Sequence, residues 1–592
     1  MNPPSPWQRL CPFPLRDAPP LAAIEACLDE PSSAEALEEC ERSESYPATV
    51  IDRLRDRGLA DLFAEDGGAG SCVTAYHLAA LNALAARRSG SLAITLGVNA
   101  LALLPVLIGG TSEQIAAIAA KVRGGSFLSL ALTEIAHGSD LLAGEVKAER
   151  TAAGYAVWGD KDLVNGGSRH GVILTLARTR GRDGDRAAPL AGRRDFSILA
   201  VDRDDSVSVV RRWRTLPAAA ADIASVRFSG TRVAETARIG AEGDGLALIQ
   251  KTLAVSRGGI GALASGAATR ARELALAYAR YRVLYGRPIA ALPPITEHLV
   301  RLHALDLACA AMSVKAMAAC NGSGIGAAPI TAIAKLACVD LAEEAVSEGR
   351  QVLSAQALLR GSPYERLVRD ALLYGVFDGT RHLMVDQAQW RLAQAASQDP
   401  VEPAVVLARA SETYATPPRK LVEACRLPAA AILPEPEAHA RALAALPSAI
   451  DLAPLSGVVD ALLGIVREAR HRGRWDASEA LRTRAAETHA LCETLMALGE
   501  LADPERRRAL GMTAHDDGDP VARYALGWLG ARAAGRVREL WLLSGFAMPP
   551  RDLEVHEARL VAMAEDAIAA VRGWIASVDC PAWTPWTPPS SA

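Results

Sequence analysis

The chain has little that would tie it to a metal, a nucleic acid or an oxidising compartment. Its ten cysteines run from Cys11 to Cys580 without a Cys-x-x-Cys pair. That spacing argues against a zinc ribbon and a dense disulfide framework, and it predicts reduced, mostly buried thiols in a cytoplasmic protein. Charge of one sign is also lacking. Against 64 Lys and Arg stand 68 Asp and Glu, a formal net charge of -4 over 592 residues, which points to neither a nucleic-acid nor an acidic partner. The start, Met1-Asn2-Pro3-Pro4-Ser5-Pro6, has no basic stretch followed by an apolar one, so no secretory signal is expected. One nearly uncharged run, Ser91 to Ile108, approaches a membrane span in length. Gly97, Asn99, Pro105 and its polar flanks fit a buried helix better, and no transmembrane segment is expected.

What is present is a change of period along the chain. From about 46 to 124 the pattern is helical, with Ala79 to Arg87 and Ser112 to Val122 as helices and Thr111 or Ser112 capping the second. Between Ser126 and Gly240, β-type runs alternate with turns: Gly154 to Trp158, Val172 to Leu176, Phe196 to Val201 and Ser206 to Val210. Helical spacing returns from Gly245 to about Gln394, including Gly258 to Leu284 and Ala328 to Gln356. Pro-rich tracts at Ser411–Pro418 and Leu427–Pro436 precede a further helical region, which ends in an aperiodic, mobile or surface-bound tail from Cys580 to Pro589. The expected domains are 1–124 (helical), 125–240 (β), 241–400 (helical bundle) and 401–592 (additional, all-α). The last carries a small acidic excess, so a phosphate footprint is not expected.

Leu132-Thr133-Glu134-Ile135-Ala136-His137-Gly138-Ser139-Asp140 follows the apolar run Phe127 to Ala131. Small residues let backbone N–H groups approach a flavin edge or a pyrophosphate, and Thr133 offers a hydroxyl; the bland alternative is a plain turn. The segment resembles the Thr-Glu-x-x-x-Gly-Ser-Asp signature of the acyl-CoA dehydrogenase family. Other family-like segments occur in order: Glu65 to Gly70, Gly110 to Gln114, Gly159-Asp160-Lys161, Val233 to Gly240, Arg282 to Ile289 and Arg369-Asp370-Ala371. The resemblance covers roughly residues 40 to 395. It implies an α+β fold of N-terminal helical domain, middle β-domain and C-terminal helical bundle, with FAD as cofactor. The substrate implied is an acyl-CoA or acyl-carrier-protein thioester, with an electron-transfer flavoprotein as a possible acceptor. The extra C-terminal helices are similar in layout to the very-long-chain branch, which implies a homodimer.

Flavin-dependent α,β-dehydrogenation needs a carboxylate for the α-proton, donors for the carbonyl and a hydride acceptor. The resemblance places the base at Asp378, within Val376-Phe377-Asp378-Gly379-Thr380, where the family usually has Glu. Asp is shorter by one C–C bond, roughly 1.5 Å; it suits deprotonation of another carbon acid too, and its bland role is to cap the Gly379-Thr380 turn. Ser256 excludes the alternative base position, just before Arg257, which would help to position the thioester. Leu130, Leu132 and Thr133 match the strand that meets the flavin, and Ser139 lies between flavin and substrate, with Gly379 also on the substrate side and Thr380 on the cofactor side. Leu163 stands where the family has an aromatic ring, and Asn165 where it has Thr or Ser near N5. Arg282 and Tyr285 match the Arg-x-x-Phe-Gly motif that meets the pyrophosphate across a subunit interface. Gln351, Ser354 and Ala355 match Gln-x-x-Gly-Gly. Lys161 and the Arg369-Asp370 pair read as structural. His137 and His382 have no second ligand at metal spacing, so no metal is expected. Two alternatives remain open: a flavin oxidase of another carbon acid, and a flavin-poor scaffold that keeps the fold.

Overall fold

The computed structural model describes residues 5–13, 19–64, 73–180, 192–398, 401–428, 436–512, 520–546, 551–578, 580 and 582–583. The Glu65–Gly70 segment, most of the Leu427–Pro436 tract and the tail beyond 583 lie outside the described residues. The chain divides into two compact units, neither continuous in sequence. One comprises 15–259 with 419–429, the other 1–14 with 260–418 and 430–592.

In the first unit, helices precede a β-domain. The apolar run forms the helix Gly90–Gly109, mostly buried, as its polar interruptions predict. Those interruptions are used: Asn99 Oδ1 accepts from Leu128 N at 2.8 Å, and Ser91 Oγ accepts from Ala220 N at 3.0 Å. Of the two predicted caps, Thr111 is the one that acts. Its hydroxyl accepts from Gln114 N while Gln114 Oε1 accepts from Thr111 N, a reciprocal box that starts the helix Ser112–Arg123.

Eight strands follow: β1 (Leu128–Ala131), β2 (Lys147–Thr151), β3 (Gly154–Asn165), β4 (Val172–Arg178), β5 (Phe196–Asp202), β6 (Val207–Trp213), β7 (Ile223–Ala234) and β8 (Arg238–Ile239). The order is β6-β7-β3-β2-β4-β5-β8, with β1 pairing parallel to β4. Tyr155, Val157, Ile173, Leu199, Val201, Val226 and Phe228 are buried in its core, as period-two patterning requires. The chain returns to this unit late, where Leu421 N donates to Val73 O at 2.7 Å.

The second unit is helical apart from the hairpin β9 (Val283–Leu284) and β10 (Arg287–Pro288). Its long helices are Pro293–Ser323, Ala328–Leu353, Arg381–Ala395, Ala453–His471, Glu479–Leu501, Pro520–Ser544 and Arg551–Ser577, joined by the later part of Gly245–Tyr281. The expected break at residue 400 is not a boundary between compact units, because the C-terminal helices share one unit with the bundle. Buried charge explains the union. Lys315, on Pro293–Ser323, lies 3.3 Å from Glu500 and 3.5 Å from Glu493 on Glu479–Leu501. Burial raises the Glu500 carboxyl, but Lys315, His439 and the Tyr414 hydroxyl more than offset it and bring it down to about 2. Ser411–Pro418 is not wholly a linker either, since the helix Pro403–Ala415 covers its first half. The N-terminal residues belong here as well, Trp7 Nε1 donating to Ser313 Oγ at 2.9 Å. At the other end Cys580 Sγ reaches Glu273 O and the Trp583 ring packs edge-on against Tyr278, so the described part of the tail is surface-bound. Nine cysteines are among the described residues; no disulfide joins two of them, and seven are buried.

Candidate active site

The site residues read from the sequence divide between the units. In the β-containing unit β1 leads Leu130 into the motif loop, and a buried ion pair holds that loop. Lys161, on β3, donates to Leu132 O at 2.9 Å and to Glu134 Oε1 at 2.8 Å. Glu134 also accepts from Glu145 N and Val146 N. Burial would raise its carboxyl, yet the Lys161 charge and these hydrogen bonds leave it below the usual range. Lys161 is therefore structural, as expected, and its partner Glu134 is a residue that the motif reading left without a role. Asp162 N donates to Thr133 O at 2.8 Å, which brings the motif loop beside the segment carrying Leu163 and Asn165. Ser139 is exposed near the loop's end, and nothing lies within 4 Å of where a Gly138 Cβ would be.

The β3–β7 register shifts between Lys161 and Val164, and Leu163 occupies that bulge with φ +52°, 55% exposed. Two residues on, Asn165 turns inward. Its carbonyl accepts from Ser129 Oγ at 2.7 Å. Its side-chain amide is buried, and neither the nitrogen nor the oxygen has a hydrogen-bond partner among the described residues. A buried amide without partners is costly, so both atoms are suited to a polar heteroaromatic ligand such as a flavin. Gly166 follows with φ +71°; a Cβ there would lie 2.0 Å from His170 Nδ1, so only glycine fits beside that ring. Arg257 is buried on Gly245–Tyr281, and the neighbouring Ser256 hydroxyl donates to Leu253 O.

In the helical unit the hairpin after Tyr281 stands in solvent. Tyr285 is 90% exposed with φ +52°, and the Arg282 guanidinium has no ion-pair or hydrogen-bond partner among the described residues. Such a free guanidinium suits a phosphate. Gln351 lies in the last turn of Ala328–Leu353; Ser354, immediately after it, adopts φ +52° where the motif has glycine, and Ala355 is exposed. Asp378 is half-buried with φ +54°, followed by Gly379 at φ +96°. Thr380 is the N-cap residue of Arg381–Ala395. Behind this turn Lys335, which the sequence reading missed, donates to three successive carbonyls. Arg369 pairs with Glu365 at 2.6 Å, and Asp370 is buried. Among the described residues no group of His, Cys, Asp and Glu could hold a metal.

Comparison with known proteins points to one family. The family model of the acyl-CoA dehydrogenase middle domain matches residues 129–231, and that of the acyl-CoA dehydrogenase C-terminal domain matches 243–393. An acyl-CoA dehydrogenase of Bacillus subtilis (strain 168) is 29% identical over 359 residues, 59% of this chain and 91% of the relative. A cyclohex-1-ene-1-carbonyl-CoA dehydrogenase of Geobacter metallireducens is 28% identical over 351 residues, 59% of this chain and 90% of its own. The solved structure of an acyl-CoA dehydrogenase complexed with FAD from Bacillus anthracis aligns with a TM-score of 0.72 at 18% identity. It covers 97% of each chain, a likeness of fold that runs through the C-terminal helices. Residues 129–231 and 243–393 thus carry the middle and C-terminal domains of the acyl-CoA dehydrogenase family, FAD-dependent oxidoreductases acting on CH–CH bonds, and a helical region is added beyond that core.

Proposed function

We propose that the chain dehydrogenates an acyl thioester between its α and β carbons, with Asp378 as the base. The observation that carries this reading is where the backbone is strained. Of six non-glycine residues with left-handed φ among those described, four are Leu163, Tyr285, Ser354 and Asp378, all assigned to the site by motif. Strain of this kind persists where the surroundings enforce it, and it gathers at functional positions.

The flavin, when bound, supplies the acceptor for the β-hydride. The chain's own residues do the rest. Asp378 removes the α-proton, and its backbone N–H helps to hold the thioester carbonyl. Arg257 orients the thioester or its carrier. Thr133 and the unpartnered Asn165 amide bond the cofactor ring, and Arg282, Ser354 and Ala355 serve its phosphates. The buried Asn165 amide also weighs against a flavin-poor scaffold, which would gain nothing from leaving it unpaired.

Exposed Tyr281, Val283, Leu284 and Tyr285 beside Arg282 support a homodimer joined through this hairpin. Buried thiols with no disulfide between any two described cysteines support a cytoplasmic location, and an electron-transfer flavoprotein is the acceptor we expect. Asp in place of Glu favours one second reading, oxidation of another carbon acid with oxygen as acceptor.

An absorbance spectrum of the FAD-loaded protein during anaerobic addition of butanoyl-, octanoyl- or hexadecanoyl-CoA, or their acyl-pantetheine counterparts, tests the proposal. Bleaching by a thioester is the expected result. Bleaching only by a nitroalkane or similar carbon acid establishes the second reading, and a protein that binds no FAD refutes both.

A further inference from the structure

Lys335 sits within Ala328–Leu353 and is 1% exposed. Its Nζ lies 2.5 Å from Phe377 O, 3.0 Å from Asp378 O and 2.5 Å from Gly379 O, with the Phe377 ring centroid 5.8 Å away. An ammonium has three protons, and three carbonyl oxygens receive them.

Three successive carbonyls do not ordinarily aim at one point. Here they converge because the backbone turns left-handed at Asp378 (φ +54°) and again at Gly379 (φ +96°). Gly379 adopts that conformation freely, whereas an aspartate resists it and must be held there. The carbonyl dipoles offset the burial of the charge, and the charge offsets the mutual repulsion of the dipoles. Each half stabilises the other in this arrangement. We propose that Lys335 is the positioning residue of the candidate base, fixing the main chain of Phe377–Gly379 so that the Asp378 carboxylate points where the α-proton is delivered.

The assignment rests on the reading of Asp378 as the base. It also bears on the shorter side chain, because a base that cannot adjust by an extra methylene depends more on its backbone. Lys335 touches no substrate, and the main chain that it fixes carries both the carboxylate and the N–H for the thioester carbonyl, so its removal should lower the rate of flavin reduction more than it weakens thioester binding.

The test uses the FAD-loaded full chain and whichever of butanoyl-, octanoyl- or hexadecanoyl-CoA, or their pantetheine esters, reduces the wild-type flavin. Displacing a reacting group by about 1 Å costs on the order of a hundredfold in rate. Lys335→Met should therefore keep its flavin and its KM within about twofold and lose roughly ten- to a hundredfold in the rate of flavin reduction. Combined with Asp378→Asn, Lys335→Met should cost much less than it does alone, because the carboxylate it positions is already gone. Lys335→Arg is the second variant. It keeps the charge, but a planar guanidinium cannot meet three carbonyls from one atom, so at least a roughly tenfold loss is expected.

A wild-type rate in Lys335→Arg overturns the proposal even if Lys335→Met does not fold. Losses that multiply in the double variant also overturn it, by making Lys335 merely structural. If Asp378→Asn reduces flavin like the wild type, or if no thioester reduces the wild-type flavin, the reading of the base falls and this assignment with it. If Asp378→Asn is inactive while Lys335→Arg is unimpaired, only the role of Lys335 falls.

Discussion

Asn165→Ala separates a ligand-binding amide from a structural one by the sign of its effect. The Asn165 side chain is buried, with both amide atoms unpartnered, while the main-chain carbonyl that receives Ser129 is kept in any substitution. Each buried unsatisfied group costs about 1–3 kcal/mol. Truncation to alanine removes two such groups and forfeits about 1–2 kcal/mol of packing. The apoprotein should therefore be unchanged or more stable, by up to about 5 kcal/mol. With flavin bound, the account reverses. Hydrogen bonds worth about 0.5–1.5 kcal/mol each are lost, so FAD affinity should fall roughly tenfold, since 1.4 kcal/mol is a factor of ten. Thermal unfolding of apoprotein and variant gives the first quantity, and equilibrium titration with FAD, followed by flavin fluorescence, gives the second. An apoprotein destabilised by more than about 2 kcal/mol together with unchanged FAD affinity would refute the reasoning, because Asn165 would then be a packing residue.

Three further outcomes follow from the same geometry. Lys161→Met strands the buried Glu134 carboxylate and frees Leu132 O; breaking such a pair costs about 3–5 kcal/mol, and adding Glu134→Gln, which removes the charge but keeps an oxygen for Glu145 N or Val146 N, should restore part of it, as differential scanning calorimetry of the single and double variants will show. His170 and His489 are each buried and held down to about 4 by desolvation, against an ordinary 6.5. Both are neutral in the fold, so the stability they allow is complete above 6.5 and is lost as the pH falls from there through 4. Each imidazole then contributes up to about 1.4 kcal/mol per pH unit across that window, and denaturant unfolding of His489→Gln between pH 7 and 4, a range set by these shifts, should show a shallower slope. Ser354→Gly relieves a left-handed serine and should stabilise the protein by about 1 kcal/mol; a fall in melting temperature would show that the Ser354 side chain makes a compensating contact.

Regular patterning made much of the fold legible. Four strands were placed from alternation, and the helix Ser112–Arg123 from its cap. β7, which pairs along nearly the whole of β3, was not, because Ala224, Ser225, Ser229, Gly230 and Thr231 dilute its apolar alternation. Lys161 was read as structural, but its partner Glu134 was hidden inside the motif that drew attention to its neighbours. Lys335 was hidden differently. Helical periodicity assigns a lone lysine to solvent, yet Lys335 is the only charge between Ala328 and Val339, among residues otherwise suited to a core. A single charge in such a run is itself a sign of a buried acceptor set, and three carbonyls from residues about forty positions later fill that role.

The departures from the family pattern have a different physical meaning once backbone is considered apart from side chain. Read as residue types, Ser354 and Ala355 in place of two glycines suggest a lost phosphate contact, and Leu163, Asn165 and Asp378 suggest an altered ring site and a misplaced base. The backbone argues otherwise. Ser354 keeps the left-handed conformation that glycine would have adopted without cost, and Leu163 and Asp378 are strained in the same sense. A chain released from function would be expected to relax these positions, since each costs about 1–3 kcal/mol and many substitutions would remove the strain. At Asp378 that conformation is held by an ammonium delivered from a separate helix, and beside Leu163 the register shift of β3 turns the Asn165 amide into the interior. The side chains depart from the family pattern within a main-chain frame that is still enforced, which supports the dehydrogenase proposed above over a fold kept only as a scaffold.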